Sequence, residues 1–115
     1  MIKRNGSYQL DIRENMRGGN GSVKIEHLFD YQNDLKSTPR LLAKLTLAPG
    51  VSIGMHDHFG EEEVFHIING TAEFVDGDTT YILKKGDTSL TSNASHSLAN
   101  AGDDDLEVIA VILKF

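Results

Sequence analysis

Two histidines one residue apart, His56 and His58, sit in the segment GVSIGMHDHFGEEEVFHIING between Gly50 and Gly70. On an extended strand, side chains two positions apart leave the same face about 6.5–7 Å from each other. Both imidazoles can therefore converge on one ion. Three glutamates, Glu61, Glu62 and Glu63, follow, and then the apolar run Val64-Phe65-His66-Ile67-Ile68. Strand parity separates these candidates. If Glu63 faces inward, Phe65 and Ile67 do too, and His66 faces out. If Glu62 faces inward, His66 comes with it as a further donor. The first register buries the larger aromatic and is preferred. Downstream, His96 shares a strand face with Leu98 and Asn100. Together with His56, His58 and Glu63 it completes a set of three nitrogens and one oxygen. That donor set suits a divalent transition metal such as Fe, Mn, Ni, Cu, Co or Zn, without choosing among them.

Other chemistry-bearing residues carry weaker signals. His27 lies on the apolar face of Val23–Phe29, where a lone histidine is more often a hydrogen-bonded core or interface residue than a ligand. The loop Arg17-Gly18-Gly19-Asn20-Gly21 lacks the strand-before, helix-after context of a nucleotide-binding glycine loop. No general base can be named, and Tyr8, Tyr31 and Tyr81 are not placed relative to the histidines.

The elements that must hold these residues are short strands. Val23, Ile25, His27 and Phe29 alternate with polar positions, as do Leu41, Ala43, Leu45 and Leu47. Runs over 8–12, 51–58, 63–69, 71–75, 79–83, 88–91, 96–100 and 106–115 share that character. Phe59-Gly60 and Ser92–Ser95 are expected as breaks, and Asn69-Gly70 as a tight hairpin turn. Nine to eleven short strands with frequent turn residues, and no stretch of helical period, predict an all-β antiparallel sandwich or barrel. The runs 64–68 and 108–113 are apolar on both faces. Their outer face should be covered by N-terminal strands or by a second subunit, most economically in a two-fold homodimer.

Length sets one domain, with enough chain for a real core. The 115 residues contain no cysteine, so disulfides and thiolate metal sites are excluded. Eleven basic against seventeen acidic residues give a formal charge of −6, which argues against nucleic acid as a partner. No apolar run is long enough for a transmembrane helix and none resembles a signal peptide, so no membrane partner and a cytoplasmic location are expected.

Gly50, His56, His58, Glu63 and Gly70 fit the pattern G-x5-H-x-H-x4-E-x6-G at every spacing, and in this the chain resembles the cupin family. Gly86-Asp87 through His96 to Asn100 is similar to the second cupin motif, although Ser92 and Ala94 stand near its usual proline and glycine. The resemblance implies a small jelly-roll (double-stranded β-helix) barrel over 23–115. Residues 1–22 would be an N-terminal arm able to supply an added or exchanged strand. It also implies a divalent metal held by His56, His58, Glu63 and His96, with coordination positions left open to a small-molecule ligand or substrate. Two classes of function follow. One is a metalloenzyme of dioxygenase, isomerase or lyase type acting on a small oxygen-rich metabolite. The other is a non-catalytic binding or sensor module.

Overall fold

Alternating apolar and polar residues become eight strands in the computed structural model, which describes residues 1–115. They are β1 (Gln9–Glu14), β2 (Ser22–His27), β3 (Pro39–Leu47), β4 (Ser52–Asn69), β5 (Thr71–Asp76), β6 (Thr79–Lys84), β7 (Thr88–Asn100) and β8 (Leu106–Lys114). All the pairings described are antiparallel, in the order β1-β2-β3-β8-β4-β7-β5-β6. Val23 of β2 and Phe74 of β5, from distant parts of that order, lie in one hydrophobic cluster. The sheet therefore rolls over on itself, giving the expected antiparallel jelly-roll barrel. Residues 1–22 supply β1, which extends the sheet by pairing with β2 of the same chain.

The strand count is eight because two expected breaks are bulges. Segments 51–58 and 63–69 merge into β4, and 88–91 and 96–100 merge into β7. These two long strands pair along most of their length. Between His58↔Ala94 and Glu62↔Ser92, residues 59–61 of β4 face only Asn93 of β7. Gly60 N–H donates to Asn93 Oδ1 at 2.8 Å, closing the kink without ending either strand.

Asn69-Gly70 is also not a hairpin. Both sides of β4 are already occupied, by β7 and β8, so β5 pairs with β6 and β7 instead. The dipeptide turns a corner between layers. Gly70 has φ +88°, and a Cβ there would lie 2.8 Å from the Asp105 carbonyl oxygen. Only glycine meets both conditions.

The inward residues of β3, β4 and β8 form the centre of the core: Ala43, Leu45 and Leu47; Phe65 and Ile67; Leu106, Val108 and Ala110. Burying each large apolar side chain among these contributes about 1.5–3 kcal/mol. The outer face differs. Cross-strand register lines up Leu42, Val111, Val64 and Leu90 in a row over β3, β8, β4 and β7. β1 and β2 lie beside this row in the sheet, so the chain's own N-terminal strands do not cover it. Leu90 is 59% exposed.

Candidate metal centre

Three strand irregularities bring the predicted donors to one point. Ile53 faces the core, and simple alternation would send His56 to the opposite face. A bulge between Ile53↔Leu98 and His56↔His96 shifts the phase by one residue and turns His56 and His58 inward. The kink at 59–61 shifts it again, so that odd-numbered Glu63, Phe65 and Ile67 face inward while Val64 and His66 do not. On β7, Asn93 has φ 50° and changes the phase between buried Thr91 and buried His96. The preferred register is the one the structure has. His66 lies off the site, its Nδ1 paired with Thr88 Oγ1 at 2.8 Å.

His56, His58, Glu63 and His96 each offer one donor atom, and these atoms lie within 4.8 Å of one another. His96 Nε2 is 3.2 Å from His56 Nε2 and 3.0 Å from Glu63 Oε1. His58 Nε2 is 2.9 Å from Glu63 Oε1. That approach lacks hydrogen-bond geometry, so His58 Nε2 remains a buried polar atom without a proper partner. An orphaned buried nitrogen is costly unless something else satisfies it. A cation shared by the four donors would do so, and the donor set fits a divalent transition metal.

Each ring is held by its other nitrogen. His56 Nδ1 is 2.7 Å from the Gly54 carbonyl oxygen, His58 Nδ1 is 2.6 Å from Glu61 Oε1, and His96 Nδ1 is 2.7 Å from Thr91 Oγ1. The Gly54 carbonyl and Glu61 carboxylate only accept, which places the proton on Nδ1 of His56 and His58 and leaves the Nε2 lone pairs facing the centre. His96 is fully buried, stacked on Phe65 with ring centroids 5.0 Å apart and edge-on to Phe74 at 5.6 Å.

The electrostatics follow from these contacts. Burial lowers the His56 pKa, against the Gly54 hydrogen bond. The Glu63 carboxylate close to its Nε2 raises that of His58 against burial, with Glu61 adding to the rise. Burial pushes the Glu63 carboxyl up, but His58 and His96 together outweigh it and hold it below its ordinary value. Glu61 falls to about 2, chiefly because Arg40 bonds it.

The three glutamates thus have three fates. Glu63 joins the cluster, Glu61 supports His58, and Glu62 sits on the outward phase, opposite Ser92 and Leu113. Sequence reasoning had Glu61 only as a rival for Glu63, and it did not reach Arg40. Arg40 is twenty-one residues from Glu61 in the chain, and no local pattern links them.

A cavity of about 540 Å³ opens onto His56, His58 and Glu63. Ile25, Leu45, Ile53, Phe65 and Ile112 contribute apolar wall, while Arg13, Arg17, Arg40 and His27 also line it. His27 Nε2 is 2.8 Å from Asp11 Oδ2 on neighbouring β1, so this histidine is hydrogen-bonded and also borders the cavity. The loop between β1 and β2 forms one side of the cavity through Asn15, Met16 and Arg17. It is clamped backbone to backbone on β4. A Cβ on Gly54 would lie 2.0 Å from the Arg17 carbonyl oxygen, and one on Gly19 equally close to that of Ser52.

The family of the Cupin domain matches residues 43–112. An oxalate-binding protein of Thermotoga maritima is 39% identical over 114 residues, spanning 98% of this chain and 93% of that protein. A crystal structure of a predicted oxalate decarboxylase from Thermotoga maritima has TM-score 0.93 and 38% identity, with both chains covered in full. A Cupin 2 conserved barrel domain protein from Salinispora arenicola has TM-score 0.75 at 23% identity, over 99% of this chain and 88% of that one, a likeness of fold alone. With more than half its length matched by the family and a relative this similar along almost its whole length, the chain belongs to the cupin family.

Proposed function

We propose that the chain binds one divalent transition metal through His56, His58, Glu63 and His96 and captures a small anionic, oxygen-rich ligand there, of which oxalate is the example. The observation that carries this reading is the convergence of three imidazole Nε2 atoms and one carboxylate at a cavity that three arginines also line. The oxalate-binding relative supports the choice of ligand class. When bound, the metal would supply a Lewis-acid centre with positions open to ligand oxygens.

The chain's own residues do the rest. Arg13 and Arg17 place positive charge along the cavity, and guanidinium forks match carboxylates in a bidentate way, whereas the Arg40 fork is already taken by Glu61. Phe65, Leu45 and Ile53 limit water around the donors, which strengthens every charge interaction there. Calorimetric titration of oxalate into metal-loaded and chelator-stripped protein tests the reading. Binding near one to one in the loaded protein alone is expected. Equal binding in both, or none in either, would overturn it.

A catalytic reading of dioxygenase, isomerase or lyase type is favoured by one observation, the His27–Asp11 pair bordering the cavity. A carboxylate on one imidazole nitrogen leaves the other able to take or give a proton. His27→Gln should then abolish turnover of an enediol or hydroxy acid, followed by oxygen uptake and product analysis, while ligand binding persists. Binding without turnover by the wild-type protein across such a panel would leave capture as the function.

The half-exposed outer row of Leu42, Val64, Leu90 and Val111 supports a homodimer across that face. A second copy would cover what the N-terminal strands do not.

A further inference from the structure

We infer that Arg40 and Glu61 are a positioning pair for His58, setting its nitrogen toward the metal; the inference rests on the metal reading above. The three imidazoles are anchored by different kinds of acceptor. His56 leans on a backbone carbonyl and His96 on a buried threonine hydroxyl, and both anchors are neutral. His58 alone leans on a charged group, Glu61 Oε1 at 2.6 Å. Glu61 is itself gripped by both arms of a fork: Arg40 Nε donates to Oε2 and Arg40 Nη2 to Oε1, each at 2.8 Å. Carboxylate and guanidinium are largely shielded, with side chains 13% and 34% exposed.

Two strand irregularities aim this pair. Register passes from Pro39↔Leu113 to Leu41↔Ile112, leaving Arg40 as the extra residue of a bulge in β3. Glu61 closes the three-residue kink of β4, across β8 from Arg40. Without the first bulge, Arg40 would take its place in plain alternation.

Three consequences follow for the centre. The carboxylate holds the His58 proton on Nδ1 and makes Nε2 a stronger donor. The fork holds Glu61 to this one task, so it does not compete with Glu63 as a donor. Arg40 also cancels the Glu61 charge. A divalent ion balanced only by Glu63 then keeps a net positive charge, which favours an anionic ligand. Glu61 and Arg40 touch neither metal nor ligand in this scheme and act through His58.

Cobalt(II) binding to the untagged, chelator-stripped protein tests the pair, read by competition affinity and by the visible ligand-field spectrum. Glu62→Gln, on the outward phase, serves as control and should match wild type. Glu61→Gln keeps the shape and loses the charge, and Arg40→Met removes the fork. Each should weaken cobalt binding about 10–100-fold and shift the ligand-field bands. Arg40→Lys should recover part of the affinity. Thermal melting of the metal-free variants separates the roles: a merely structural pair would lower the melting temperature and leave the cobalt spectrum unchanged, which would overturn the inference. Wild-type affinity and spectrum in Glu61→Gln and Arg40→Met would overturn it while leaving the metal reading intact. A wild-type protein that takes up no cobalt would overturn the metal reading and the pair with it.

Discussion

At the residue scale, the site depends on which nitrogen each imidazole presents. His58 and His66 are chemically identical and eight residues apart, yet one has an orphaned inward Nε2 and the other is bonded to Thr88 off the site. His58→Ala should therefore lose most bound metal, and His66→Ala should retain close to one ion per chain by elemental analysis. The reverse result would reject the inward register of the donors. Proton competition gives a second expectation. The His58 pKa is raised by Glu63 and then Glu61, so in metal-free protein its proton persists to higher pH than on an ordinary histidine. A metal must displace it. Apparent affinity should climb as pH rises past the ordinary histidine range and then level off. The same raised pKa acts oppositely on the metal-free fold. Its stabilisation is complete below the unfolded-state value and is lost as pH rises through the folded one. Cobalt titrations and denaturant melts across that range should thus slope in opposite directions for this group. The pair His56/His58 was legible from sequence because period-two alternation is local. Glu61 could not be told from Glu63 by type. What separates them is Arg40, brought in from another strand.

At the element scale, strand bulges decide what alternation leaves open. Within 56–58 and within 63–67, parity is legible in the sequence, but the phase between them is set at 54–55 and 59–61. Those irregularities lie largely where β4 pairs with β7 alone, ahead of its pairing with β8 from Glu61 onward, and no local pattern announces them. Asn69-Gly70 shows the same limit: a good hairpin sequence becomes a corner because β7 and β8 already occupy β4. The β1–β2 loop is the element with the clearest mechanical role. Gly54→Ala would drive a methyl into the Arg17 carbonyl and push the loop off the cavity. A loss of about 1–3 kcal/mol in denaturant unfolding is expected, as for other overpacked sites. Since the Gly54 carbonyl also anchors His56, metal affinity should fall with it. Unchanged stability would show that the loop is free to move away.

At the scale of the whole molecule, the outer sheet face and the inner cavity divide the chain's apolar surface. The two-sided apolarity of β8 is explained on one side by the core and on the other by a row ending at exposed Leu90. Leu90→Lys should shift a dimer to monomer in sedimentation velocity with little change in monomer stability; an unaltered dimer would place the interface elsewhere. No helix is long and apolar enough to cross a membrane. By itself the sequence determined the all-β class, the cupin pattern and the four residue types that could meet on a metal. These depend on local alternation and fixed spacing, which one strand carries alone. Only the tertiary structure brought Glu63, which register and the cupin spacing single out, against His58 and His96, and only it decided that Glu61 and Arg40 stand behind His58 and that His27, Arg13 and Arg17 share the cavity. Those relations join β1, β2, β3, β4 and β7, and their geometry exists only once the bulged strands have paired.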